Sequence, residues 1–282
     1  MHALKSSATK LAIIAFVLGF SSMSLAELQA RIISADLGTT QILQAMDMQD
    51  AIVAVDVTSA RQPGLQALPN IGYHRQLSPE GMLSIKADAL VGSSHMGPDV
   101  TLDVLEKTGV QIVRQETPLT INRLVHNIRA LSNTFHQTSA GEKLVRVIEQ
   151  KQHQLEQSQL KHKTAIFLLD MGGHGGASGS IAGAGTSGEA FIKMLGLENL
   201  ADFPAYREAS RESLIALDPD VIILGGRNGS DSKNPVQSQV VSLTRAAQQN
   251  SITSIDASAL VAGLSVAAID EAIRVKTELN NN

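Results

Sequence analysis

Short runs of β-branched residues alternate with helix-patterned stretches along most of this chain, and that alternation restricts the possible folds more than any other feature. Arg31 to Ser34, Ile52 to Val57, Ala89 to Gly92 and Val110 to Val113 read as buried strands, with helices expected from Thr39, Pro79 and Pro98. A second series, Thr164 to Leu169, Val221 to Leu224 and Ser251 to Ile255, is interspersed with helices expected from Thr186, Ser210, Val236 and Leu264. This is the rhythm of parallel βα units. The reading is an α/β fold of two Rossmann-like lobes with a ligand cleft between them.

Between the two series, Ser139 to about His162 contains no Gly or Pro after Gly141 and is rich in Glu, Gln, Lys and Leu, all sound helix formers. Leu144, Val147, Ile148, Lys151 and Leu155 recur at helical spacing, so one face can lie along both lobes while Glu142, Glu149 and Gln152 stay wet. We take 138–162 as one long interlobe helix, with an N-terminal lobe at 27–137 and a C-terminal lobe at 163–282; an ordinary connecting helix within one domain is the alternative. A stiff single crossover predicts only modest opening. An internal repeat supports two lobes, because Ser78 to Val91 aligns without gaps on Ser210 to Ile223. In each copy a serine can cap a helix, a glutamate two residues later sits at the positive end of the helix dipole, and an aspartate precedes the next strand.

Lys5 and Lys10, the apolar run Leu11 to Phe20 and the small-residue site Ser24-Leu25-Ala26 read as a secretory signal peptide of residues 1–26. The run is too short to span a bilayer comfortably. The absence of cysteine excludes disulfides, thiolate metal sites, a lipidated cysteine anchor and a cysteine nucleophile. A soluble periplasmic protein is expected. The formal net charge is -4 with both signs intermixed and no dense basic patch, which argues against nucleic acid as a ligand. Tryptophan is also absent, so a pocket for a flat apolar ligand would be walled mainly by aliphatic and methionine side chains.

Tyr73 lies in the segment Ile71 to Glu80, and the chain has only one other tyrosine, Tyr206. In an extended segment Tyr73 and Arg75 would share a face while His74 points oppositely. A nearby guanidinium favours phenolate over phenol, and phenolate is an axial donor to haem iron in catalase. Spacing alone favours a half-buried loop tyrosine with Arg75 in solvent.

From Gly72 to Gly81 the sequence reads G-Y-x-R-x-L-S-x-E-G, which resembles a motif of the periplasmic haem-binding proteins that feed haem importers of the ABC type. Arg31 to Ala35, Gly183 to Ser187 and Asp218 to Ile223 also look like that family, so the likeness covers nearly all of the mature chain. The resemblance implies that Tyr73 ligates ferric haem, that Arg75 hydrogen-bonds to it, and that the cargo passes to an inner-membrane ABC permease with its ATPase. It also implies a TonB-dependent outer-membrane haem receptor earlier in the pathway, and docking on the permease by Glu80 and Glu212, one carboxylate per lobe. Helix-start electrostatics accounts for those two glutamates without any partner.

The stretch Met171 to Gly188 contains a formal G-x-G-x-x-G at Gly183 to Gly188. It lacks an acidic residue at the end of a following strand, so a turn and helix cap are expected there, not a dinucleotide site. His174, flanked by glycine pairs after a strand, belongs at the carboxyl edge of the second sheet. The resemblance makes it the candidate second-lobe iron ligand, with a loop histidine free of iron as the other reading. His95 and Met96 follow a strand and are expected to rim the cleft, His95 as a ligand, a propionate partner or a solvated loop residue. Arg61, Arg114 and Arg227 could supply cations to propionates. His126, His136, His153 and His162 lack the spacing of a zinc or manganese site. Two other functions fit less well. A ferric siderophore or cobalamin carrier would call for polar or aromatic cleft walls; a secreted hydrolase would call for a nucleophile elbow such as G-x-S-x-G, which does not occur, and a nucleotide-dependent oxidoreductase is awkward outside the cytoplasm.

Overall fold

The computed structural model describes residues 30–169, 179–226 and 243–281. Its first part holds β1 (Ile32–Ala35), α1 (Leu37–Ala45), β2 (Ile52–Val55), α2 (Pro79–Ile85), β3 (Ala89–Ser93), α3 (Asp99–Lys107), β4 (Gln111–Gln115) and α4 (Ile121–Thr134). The strands form one sheet in the order β2-β1-β3-β4, parallel throughout. Each expected strand of this lobe is present to within two residues at either end. Strands β1 and β3 are buried along their whole length, which explains their nearly unbroken apolar runs.

After α5 (Thr138–Gln157) the chain forms β5 (Thr164–Leu169), β6 (Ser180–Ala182), α6 (Ser187–Met194), β7 (Glu198–Asn199), β8 (Tyr206–Glu208), α7 (Arg211–Leu217), β9 (Val221–Gly226), α8 (Arg245–Gln248), β10 (Ile252–Asp256) and α9 (Val266–Asn281). The second sheet runs β10-β9-β5-β6-β8, with β7 beside β5. Its core β10-β9-β5 is parallel, whereas β6 and β8 are antiparallel and were not foreseen. They are three residues each and rich in Ala, Ser and charged residues, so no apolar alternation marks them.

The repeat is structural. Helices α2 and α7 are seven residues long and stop at left-handed residues, Lys86 and Asp218, before entering β3 and β9. Asp88 accepts from the Arg31 backbone N–H at 2.8 Å, and Asp220 accepts from those of Lys163 and Thr164 at 3.0 Å. In both lobes an aspartate therefore ties the start of one central strand to the start of its neighbour. The capping expectation holds for Ser210, which accepts from Ser213 N–H. It fails for Ser78, whose side chain makes no cap bond. Pro79 opens that helix instead, with φ preset and no N–H to satisfy.

Helix α5 packs against α4 on one side and α9 on the other. Leu144, Ile148 and Leu155 are buried as expected, but Val147 is 40 % exposed and its neighbour Val145 takes the core position. Arg129 of α4 grips Glu142, Lys151 pairs with Asp270 of α9, and the buried Lys276 ammonium of α9 caps the Leu155 carbonyl. The sheets also meet through Pro118, whose carbonyl accepts from Leu264 N–H at 2.7 Å. At Gly263, φ is 114° and a Cβ would stand 2.7 Å from the Pro118 ring, so only glycine fits there.

Gly141 sets how closely α4 and α5 approach, since a Cβ there would lie 2.4 Å from the Ser132 side chain. Alanine in place of a helical glycine ordinarily gains about 1 kcal/mol, but overpacking costs about 1–3 kcal/mol. Gly141→Ala should therefore destabilise the protein in urea unfolding, and Ser132→Gly should abolish the penalty.

Candidate functional site

In open parallel sheets the usable crevice lies at the carboxyl ends of strands whose connections diverge. In the first sheet the chain leaves β1 toward β2 and β3 toward β4, so the crevice opens between β1 and β3. Asp36 closes one side of it and Ser93 to Met96 the other. In the second sheet the corresponding strands are β5 and β9. The loops that follow them carry His174 and Arg227, and both residues lie outside the described residues.

Tyr73 sits at the carboxyl edge beyond β2. The chain runs beside β2 first, with Ile71 N–H on the Val55 carbonyl at 2.9 Å and Val57 N–H on Gly72 at 2.9 Å. It then turns, the Tyr73 carbonyl accepting from Gln76 N–H at 2.8 Å. The segment is thus a turn and not the extended strand considered above, yet the alternation survives. Tyr73 is 43 % exposed, Arg75 is exposed, and His74 between them is 2 % exposed. Neither the Tyr73 hydroxyl nor the Arg75 guanidinium has a hydrogen-bond partner among the described residues, so the Tyr73 to Arg75 bond implied by the resemblance is not formed here.

Beneath Tyr73 lies a polar network that the motif alone did not reveal. His74 Nδ1 is 2.9 Å from Asp56 Oδ2, and Asp56 is fully buried. Asp56 also accepts from Thr58 Oγ1, Ser59 N–H and Ser59 Oγ. Ser59 Oγ in turn accepts from Thr40 Oγ1, which lies 2.7 Å from Ser34 Oγ. Nearby, Asp36 takes hydrogen bonds from Thr39 N–H at 2.8 Å and Ser93 N–H at 2.6 Å. The sequence signal for both aspartates was their place, each directly after a buried strand and ahead of hydroxyl residues.

His95 is half-buried. Its Nε2 lies 3.3 Å from Thr117 Oγ1 while Nδ1 is buried without a partner. Burial first, and then the positive charges of Arg75 and His74, hold its imidazole below the ordinary histidine range. Met96 corrects an expectation. It is 2 % exposed and packs its sulfur toward Gly92 in the lobe core with Leu77 and Leu102, because the apolar thioether gains more there than at a wet rim. Arg114 is likewise committed, to Asp99 at 2.9 Å and the Ser94 carbonyl at 2.8 Å. Arg61 is exposed. Glu80 and Glu212 are both exposed in the first turns of α2 and α7. At the glycine-rich match Thr186 caps α6, as expected, and Glu189 accepts from Gly185 N–H at 2.8 Å, so a carboxylate already satisfies a donor at that helix start.

A cavity of about 740 Å³ lies elsewhere, among Thr120, Leu155, His162, Lys193, Leu264 and Lys276. It includes none of Tyr73, Arg75 and His95, and we assign the site to the carboxyl edge because the groups able to hold a metal-bearing ligand are there. No group of three or more His, Asp or Glu able to hold a bare metal ion occurs among the described residues.

Two α/β lobes joined by one helix, with exposed recognition side chains at a sheet's carboxyl edge, are the architecture of a two-lobed solute-binding protein. The chain belongs to the Periplasmic binding protein family, whose profile matches residues 32–259. It is similar in structure to the periplasmic Heme binding protein HutB of Vibrio cholerae, with 32% identity, 89% of this chain and 99% of that chain covered, and a TM-score of 0.79. A Periplasmic Heme Binding Protein from Pseudomonas aeruginosa matches with 26% identity, 90% and 93% coverage and a TM-score of 0.79. A Vitamin B12-binding protein of Vibrio cholerae is 28% identical over 121 residues, 43% of this chain and 44% of the relative, so the match spans less than half of that relative's length.

Burial pushes the Asp36 carboxyl up from the ordinary 3.8 to about 6, against the opposing pull of its two N–H donors and the nearby His74 charge. The folded state therefore holds this proton more tightly than the unfolded chain does. Its contribution to stability is complete below pH 3.8 and is lost as the pH rises through about 6. Relative to Asp36→Asn, the wild type should gain up to roughly 3 kcal/mol between pH 7 and pH 4 in denaturant titrations. A difference that does not change with pH would show that the Asp36 carboxyl titrates alike in the folded and unfolded chain.

Proposed function

We propose that this periplasmic binding protein captures ferric haem between its lobes, with the Tyr73 phenolate as iron ligand and Arg75 stabilising it. The observation that carries the reading is an exposed tyrosine and an exposed arginine, whose hydroxyl and guanidinium have no hydrogen-bond partner among the described residues, on a turn anchored by the buried His74–Asp56 contact. Phenolate is a competent donor to ferric haem iron, and the porphyrin brings its own four nitrogens, so a single protein ligand per lobe suffices. The match to HutB over 89% of the chain supports the same cargo. His174 and Arg227 are the second-lobe candidates, the first for iron and the second for a propionate. Delivery is to an ABC permease and its ATPase, with Glu80 and Glu212 presenting one carboxylate per lobe to permease arginines.

A second reading, cobalamin as cargo, is favoured by the partial match to B12-binding relatives. It gives the Tyr73 phenol no metal to ligate, because the cobalt of cyanocobalamin has both axial positions filled by its own ligands, whereas ferric haem leaves its axial positions open. Mixing the protein with hemin should produce a high-spin ferric spectrum of the tyrosinate type. Tyr73→Ala should lose that spectrum and at least tenfold in affinity, about 1.4 kcal/mol. A specific response to cyanocobalamin and none to hemin would reverse the assignment. Saturation of His174→Ala by one haem with an unchanged spectrum would remove His174 from the iron.

A further inference from the structure

We propose that His74 is the positioning residue for Tyr73: by its buried bond to Asp56 it holds the turn that presents the phenol, so that the iron-binding edge is organised before haem arrives. The inference rests on the haem reading of Tyr73.

Three contacts hold His74. Its Nδ1 meets Asp56 Oδ2 at 2.9 Å, its carbonyl accepts from Gly97 N–H at 2.9 Å, and its ring lies 4.5 Å from the Tyr73 ring at an interplanar angle of 53°. The Gly97 carbonyl in turn accepts from Leu77 N–H at 2.8 Å, which locks the turn to the loop after β3. Asp56 is itself pinned from below by Thr58 and Ser59. A carboxylate can only accept, so Nδ1–H is the donor in this pair.

Stability does not explain the pair. A buried polar pair contributes little compared with apolar side chains of the same volume, because desolvation offsets the attraction. Direction is what a hydrogen bond adds and an apolar contact lacks. The backbone of Tyr73 is adjacent to a residue fixed in both ring and carbonyl, while its own side chain is exposed and its hydroxyl has no hydrogen-bond partner among the described residues. A ligand so held spends little binding energy on ordering the turn.

The test compares wild type, Tyr73→Phe, His74→Leu, His74→Asn and Asp56→Asn in hemin titrations, thermal unfolding and amide exchange of the apo-proteins. His74→Leu should bind hemin at least tenfold more weakly, with an altered tyrosinate band, and should exchange faster at Gln76 and Gly97 while amides of α5 stay protected. His74→Asn, which keeps a donor near the Nδ1 position, should recover affinity to within about threefold of wild type. Wild-type affinity and spectrum in His74→Leu would overturn the proposal, as would a folded His74→Asn no better than the leucine variant. If His74→Leu does not fold, Asp56→Asn must show the weakened binding and faster exchange, and unchanged values there would overturn it equally. Should the wild type and Tyr73→Phe respond identically to hemin, the haem reading fails. The exchange rates at Gln76 and Gly97 would still decide whether His74 holds the turn.

Discussion

Parallel pairing is the constraint on which the rest of this structure depends. Each parallel strand must be followed by a crossover, and each crossover leaves a loop at the carboxyl edge of its sheet. Strands β1, β2 and β3 therefore deliver Asp36, Tyr73 and His95 to the same edge, although these residues are far apart in the chain. The second sheet repeats the arrangement through β5 and β9. Binding groups collect at these edges because the strands themselves are committed to the core, as the complete burial of β3 and β9 shows.

Duplication of one unit accounts for much of the architecture. The run from α2 into β3 matches that from α7 into β9, residue for residue, including the left-handed stop and the aspartate that ties two strand starts together. The lobes then diverge on the far side of β1 and β5. A parallel β2 completes the first sheet, and antiparallel β6 and β8 complete the second. Helix α5 joins them with polar bonds to both sides, Arg129 with Glu142 and Lys151 with Asp270. One stiff connection with contacts on each flank resists large hinge motion more than flexible strands would.

The site sets exposed chemistry on a buried electrostatic base. Tyr73 and Arg75 face water, while His74, Asp56 and Asp36 are enclosed and nearly saturated with hydrogen bonds. Charges removed from water are tolerated only when paired in this way. In the proposed reading, this separates the groups that would meet the ligand from those that would orient them.

Much of this was legible in the chain. The β-branched runs located seven parallel strands, most clearly β1, β3 and β9, because a strand buried on both faces must be apolar throughout. The alignment of Ser78 to Val91 on Ser210 to Ile223 announced the repeat, and the alternation around Tyr73 placed Tyr73 and Arg75 on one side of the chain with His74 on the other. What the sequence could not convey were contacts between residues distant in the chain. That Met96 fills the core, that Arg114 is spent on Asp99, that Val145 and not Val147 faces inward, and that His74 finds Asp56 eighteen residues earlier all depend on how elements pack. Local pattern determines which segments become strands and helices, since that choice is made by backbone propensity and apolar period. Which polar side chain remains free for a ligand is decided only when the tertiary fold brings partners within hydrogen-bond reach and removes water from the rest.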